Sequence, residues 1–218
     1  MTLFATFDGP KAVGKSTLIS VVQRNLFDRG FEPLLLVEKD LLPEKIKREV
    51  SILYGEYKLN PCMQIDAAIA DCLLQARLHI SKNILQSVRC DVVLMDRWYP
   101  SDAVFRRYID AEKVIDDNIA SGVRVPDVIF SVICDSEISW QRAHQRSRSL
   151  DSKVVYDFAS HRETSIRFES IAARSNWSLL CSDVLSPDEL SCKVVEKLFD
   201  LGLSKGIYSE RSMQPLLE

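Results

Sequence analysis

Gly9-Pro10-Lys11-Ala12-Val13-Gly14-Lys15-Ser16, followed by Thr17, fits the pattern G-x-x-x-x-G-K-[ST]. Residues of these types at this spacing can bind polyphosphate. A tight glycine-containing turn offers backbone N–H groups to an anion at the start of a helix, where side chains would block the approach. Lys15 is expected to reach the β- and γ-phosphates and Ser16 to ligate Mg2+. The pattern stands in the context it requires, after an apolar run that reads as a strand and before an amphipathic run that reads as a helix.

Asp96-Arg97 directly follows another apolar run, and so falls at the carboxyl end of a strand, where open α/β sheets place their ligands. An aspartate there can hold Mg2+ directly or through water, and the adjacent arginine can take a phosphate with two N–H groups at once. The competing reading is a helix cap and a surface ion pair. Arg142, Arg146 and Arg148 run into the polar segment HQRSRSLDSK. They are expected on a lid over about residues 142–153, where their charge would meet the transferring phosphoryl group. A solvated basic face is the plainer alternative.

These residues need a frame to bring them together, and the hydrophobic pattern supplies one. Leu3–Phe7, Leu34–Val37, Val92–Met95, Val128–Ile133 and Trp177–Cys181 are short, nearly continuous apolar runs, as strands covered on both faces of a parallel sheet are. Between them, Leu18, Val21, Val22 and Leu26 repeat at helix spacing, as do Ile65, Ala68, Ile69, Cys72, Ala76 and Ile80. The second of these helices also carries Leu74, Leu78 and Leu85 off its first stripe. It is therefore expected to be covered on two sides, by the core or by another subunit. Ser186-Pro187-Asp188-Glu189 marks the start of the last helix, with an N-cap serine, a proline and a glutamate that can reach back. Alternating strands and helices predict a three-layer α/β fold built on right-handed crossovers. The whole is read as one domain over residues 1–201 and a loosely ordered tail over 202–218.

The 28 Lys and Arg against 31 Asp and Glu give a net charge of −3, without the basic excess that drives nucleic-acid binding by counterion release. The six cysteines form no C-x-x-C pair and mostly sit in apolar runs, so they read as reduced core residues. No apolar run approaches the length that spans a bilayer. Cytoplasmic location, no nucleic-acid partner and no membrane partner are expected.

The chain resembles the thymidylate kinases, within the P-loop nucleoside and nucleotide kinases. The resemblance rests on FDGPKAVGKST at 7–17, DRWYPSDAVF at 96–105, PDVIF at 126–130, the arginine-rich stretch from Arg142 to Asp151, and WSLLCSD at 177–183. It implies a P-loop kinase fold with a five-stranded parallel sheet flanked by helices, a homodimer, and transfer of the ATP γ-phosphoryl group to a deoxynucleoside monophosphate with Mg2+ as the metal. It places the acceptor phosphate at Arg97, the base and sugar near Asp102 and Phe105, and Arg77 and Glu38 on the acceptor side with Asp96. His79, on the same helix as Arg77, reads as a packed or surface side chain. Two departures bear on the acceptor. Lys11 stands where the family usually has an acid aimed at the acceptor sugar, and Asp102 and Phe105 stand where it commonly has a neutral residue and a tyrosine. A carboxylate at Asp102 would favour a base with an exocyclic amino group, such as cytosine. Three readings stand at this point: a nucleoside monophosphate kinase, a deoxynucleoside kinase of the same architecture, and a catalytically weakened nucleotide-binding paralogue. Against the second, Trp98 occupies the position after the acid-arginine pair where such kinases usually have serine.

Overall fold

The computed structural model describes residues 2–145 and 157–208. Arg146, Arg148 and most of the stretch expected as a lid lie outside the described residues. Five strands form one parallel sheet: β1 (Leu3–Asp8), β2 (Pro33–Val37), β3 (Val92–Asp96), β4 (Val128–Ile133) and β5 (Ser178–Cys181), in the order β2-β3-β1-β4-β5. The central strand β1 is buried from end to end and pairs Ala5 with Leu94 on one side and Val128 on the other. Its continuous apolar sequence follows from helices covering both faces. The edge strands depart from that expectation: β2 is half-buried throughout and Leu179 of β5 is exposed.

On one face, α1 (Lys15–Phe27) and α9 (Pro187–Ser204) bury Leu18, Ile19, Val22 and Leu26 with Leu190, Val194 and Leu198 against β1 and β4. On the other, α4 (Met63–Ile80) covers Phe4, Val93 and Met95, with Trp98 and Tyr99 beside them. Leu74, Leu78 and Leu85 pack on that sheet face, while Ile69 and Leu73 pack on Val50 and Tyr57 of α3 (Glu44–Leu59). The two-sided apolar pattern of α4 is thus satisfied from within the chain. A π turn over Ser81–Leu85 ends α4, and α2 (Glu38–Leu41) is a single turn after β2. The remaining helices are α5 (Tyr99–Phe105), α6 (Ala111–Ala120), α7 (Ser136–His144) and α8 (Phe158–Arg174).

The last helix starts as its sequence directs, with the Ser186 hydroxyl capping the Glu189 N–H and the Glu189 carboxylate taking the Ser186 N–H at 2.8 Å. The boundary expected after residue 201 falls inside α9. Gly202 is buried, and Tyr208 folds back on Phe31 and Phe199, with ring centroids 4.8 Å and 6.0 Å away. The described chain is therefore anchored on the core at Gly202 and Tyr208, within the stretch assigned to the tail.

Candidate active site

The carboxyl ends of β1, β3 and β2 open on one edge of the sheet, and they carry the loop 9–14, Asp96-Arg97 and Glu38. Gly9 cannot be replaced by a larger residue, because a Cβ there would stand 2.1 Å from the Val132 carbonyl oxygen. Gly14 caps α1 at φ 93°, in the left-handed region, and makes no side-chain hydrogen bond to the first N–H groups of the helix. Ala12 also has positive φ, at 60°. Loop and helix start together form the concave, amide-lined turn that suits a phosphate chain. Lys15 is buried over this turn, its Nζ donating to the carbonyls of Gly9 at 3.1 Å and Pro10 at 2.6 Å.

Ser16 and Asp96 meet as expected: the Ser16 hydroxyl donates to Asp96 Oδ2 at 3.3 Å, open to solvent. A hydroxyl and a carboxylate are hard oxygen donors, and this pair at the helix start fits a divalent cation such as Mg2+. Among the described residues no group of three or more His, Cys, Asp or Glu gathers to hold a metal. A cation here would therefore draw its remaining ligands from water and phosphate, as Mg2+ commonly does.

Arg97 adopts φ 70°, unusual for a residue with a side chain. Its Nη1 donates to the Gly9 carbonyl at 2.9 Å and to the Ser101 hydroxyl at 3.1 Å, and its guanidinium lies 5.3 Å from the centre of the Phe105 ring. What fixes this segment is Asp8, a residue the motif did not single out. Its carboxylate is wholly buried and accepts from the Trp98 and Ser101 N–H groups, at 3.1 and 3.0 Å, and from the Thr6 hydroxyl at 2.8 Å. Burial pushes the Asp8 carboxyl above its usual range, and these donors and Arg97 pull part of the way back.

Asp102 lies in the same region with its oxygens engaged elsewhere than expected. Oδ2 accepts from Arg77 Nη1 at 3.0 Å, and Oδ1 is 3.1 Å from Nε of Arg106. Only 3% of its side chain is exposed. Oδ2 is thus taken by Arg77, while Oδ1 faces Arg106 as an ion pair without a hydrogen bond. Arg77 is held on its other side by Glu38, Nε to Oε1 at 2.6 Å. Burial raises the Glu38 carboxyl, with Arg77 opposing. Phe105 is half-buried and packs edge-on against Phe168. His79 is exposed and bonded to Asn83.

On the far side of the loop, a cleft of about 400 Å³ is lined by Ala12, Gly14, Thr17, Ser182, Leu185 and Arg142, among others. Ser182 ties it to the loop by donating to the Val13 carbonyl at 2.6 Å. Arg142, expected at the start of a lid, sits instead within α7, its Nη2 donating to the Ser182 carbonyl at 3.4 Å.

Two thymidylate kinases match the chain. One, from Leptospira borgpetersenii serovar Hardjo-bovis (strain L550), is 29% identical over 152 residues, covering 68% of this chain and 72% of the relative. The other, from Geobacillus sp. (strain WCH70), is 23% identical over 207 residues, covering 90% and 96%. The chain is similar to thymidylate kinases. No protein-family model matches it. The thymidylate-kinase likeness and the five-stranded parallel sheet flanked by helices agree on a P-loop kinase fold.

Sequence reasoning brought Lys15, Ser16, Asp96, Arg97, Glu38, Arg77 and Asp102 to this edge and missed Asp8, Asp66, Ser101 and Arg106. A signal existed for Asp8 and Arg106. Asp8 is a carboxylate ending an otherwise apolar strand, and Asp102 and Arg106 stand four residues apart on one helical face.

Proposed function

We propose that the protein is an ATP-dependent nucleoside monophosphate kinase, with thymidine monophosphate as the first acceptor to test. The observation that carries this reading is the meeting of two halves at one sheet edge. Lys15 and Ser16 stand on the loop side, and Arg97 reaches across to the Gly9 carbonyl from the strand beside it. A monophosphate has its second pKa near 6, so at neutral pH its own oxygen is the nucleophile and no general base is needed. The protein's task is to cancel repulsion between two anions brought within bonding reach. In this reading Lys15 and the N–H groups of the loop take the donor phosphates, and Arg97 takes the acceptor phosphate. Ser16 and Asp96 would hold Mg2+, which supplies charge neutralisation on the donor phosphates. Arg77 offers the base its Nη2, the guanidinium nitrogen neither carboxylate holds. A donor there suits a base that presents a carbonyl, as thymine does through O4. Homodimerisation belongs to the same reading and is supported by Ile52, Leu59 and Met63, exposed on α3 and at the start of α4.

The nucleoside-kinase reading has one feature in its favour, the raised Glu38 carboxyl near the acceptor side, since a sugar hydroxyl requires a base. Its contact with Arg77 weighs against proton removal. Consumption of ATP measured with each nucleoside and each monophosphate in turn decides between them. A rate dependent on monophosphate is expected. A rate dependent on free nucleoside would replace this reading, and ATP binding without turnover on any acceptor would indicate a nucleotide-binding paralogue.

A further inference from the structure

Five charged side chains form a continuous chain through the interior: Glu38, Arg77, Asp102, Arg106 and Asp66. The N–O distances run 2.6, 3.0, 3.1 and 3.0 Å; the two at Arg77 are hydrogen bonds, while Arg106 meets Asp102 Oδ1 and Asp66 Oδ1 as close ion pairs outside hydrogen-bond geometry. Two helices supply four of the five, and the single turn α2 supplies Glu38. Asp66 and Arg77 are separated on α4 by about three full turns and so share a face. Asp102, on α5, and Arg106, which caps its end, are one turn apart. The facing stripes alternate in sign.

The two ends differ in kind. Glu38, at the sheet edge where the loop and Asp96 lie, has 12% of its side chain exposed, while Arg77, Asp102, Arg106 and Asp66 have 1 to 3%. At the closed end, Asp66 Oδ2 accepts the N–H groups of Arg107 and Tyr108 at 2.8 and 2.9 Å, and the Tyr54 hydroxyl accepts from Arg106 Nη2 at 2.9 Å. Asp66 therefore has no route to a ligand at the open end, and about 16 Å of helix separates it from Arg77.

A buried ion chain is poor economy for a fold, since well-packed apolar groups of similar volume commonly do as well. Its use is positional. Asp102 lies between two guanidiniums, so the strength of its hold on Arg77 depends on how firmly Arg106 takes the other oxygen, and Arg106 is in turn set by Asp66. We propose that Asp66 and Arg106 are positioning residues that set the orientation of Arg77 toward the acceptor base without touching it. This rests on the monophosphate-kinase reading above.

The test is steady-state kinetics of Asp66→Asn and Arg106→Lys on thymidine monophosphate, with ATP as the second substrate and thermal unfolding followed alongside. Asparagine keeps the shape of Asp66 and its acceptor for the two N–H groups while removing the charge. Lysine keeps the charge of Arg106 and loses the fork. KM for the monophosphate is expected to rise about tenfold in each, the factor that about 1.4 kcal/mol of lost orientation produces. KM for ATP should stay within about twofold. Tyr54→Phe, which removes one Arg106 partner and no charge, should leave the monophosphate KM near the parent value. If Asp66→Asn and Arg106→Lys lower the unfolding midpoint while both KM values hold, or move both KM values together, the chain is structural and the proposal falls. If either variant is too unstable to assay, the other decides alone; if neither retains the fold, the chain serves the fold and the proposal is likewise overturned. Failure of the parent to use any monophosphate would overturn the acceptor reading and this proposal with it. A parent active on monophosphate with unmoved variants would overturn this proposal only.

Discussion

Lys15 has two occupations, one in the free protein and one expected with nucleotide. Its ammonium is tied to the Gly9 and Pro10 carbonyls, so it rigidifies the loop that it would serve. Lys15→Ala is expected to lower turnover about a thousandfold or more, as loss of a cation on the transferring group does. It should also cost about 1–3 kcal/mol of stability, because the buried Pro10 carbonyl loses its donor and that of Gly9 keeps only Arg97, which urea unfolding would read. Asp102 illustrates a limit of reading single residues. Its position in DRWYPSDAVF was legible, but its partners come from a helix and a turn distant in sequence, and they decide what its oxygens can do. Asp102→Asn should therefore raise KM most for monophosphates whose base presents a carbonyl to Arg77, and should not favour thymine. A reversal in favour of thymine over cytosine would restore the direct-reading role.

At the scale of elements, the strands were legible because continuous apolar runs have few other uses in a chain of this composition, and the caps of α1 and α9 because glycine and the serine-glutamate box act locally. The helices that hold the buried charges were less so, since a charged residue at an apolar position reads as exposed until its partner is known. The junction of α7 and α8 shows the same thing. His161 on α8 is buried, its Nε2 2.7 Å from the Ser139 hydroxyl of α7, its ring beside Trp140, and its Nδ1 without a partner. The single Ser139 hydroxyl proton is shared between the carbonyls of Asp135 and Ser136, so the oxygen accepts from a neutral imidazole. Burial lowers the His161 pKa below its usual 6.5. The stability from this neutral form is complete above about pH 6.5 and is lost as pH falls through the lowered folded value. His161→Gln should flatten the decline of the unfolding midpoint between pH 7 and 5 relative to the parent. Parallel curves for the two proteins would show that His161 does not drive it.

For the molecule as a whole, the sheet order places phosphate-binding loop, acid-arginine pair and acceptor-side charges on one edge, and the closing of the chain keeps α9 against α1 beneath it. The end of that closure was not legible, because residues 202–218 carry little hydrophobic pattern, while the missing side chain of Gly202 makes room for a ring. A Cβ at Gly202 would come within 2.0 Å of the Tyr208 ring. Tyr208→Ala empties the space between Phe31 and Phe199 and is expected to cost about 3–5 kcal/mol, lowering the unfolding midpoint by on the order of 10 °C. An unchanged midpoint would mean that Tyr208 contributes nothing to the core.

The central claim is that the acceptor arrives as a phosphate and is met by Arg97. Its most direct test is the dependence of initial rate on thymidine monophosphate concentration in the parent and in Arg97→Ala, with ATP binding measured separately without acceptor. The parent is expected to turn over the monophosphate and not thymidine. In the variant the monophosphate KM should rise by about a hundredfold, the loss of about 2.7 kcal/mol expected for a charge-assisted, two-pronged contact, with ATP affinity changed by about threefold or less. An unchanged monophosphate KM in Arg97→Ala, or a parent that phosphorylates free thymidine as readily, would contradict the claim.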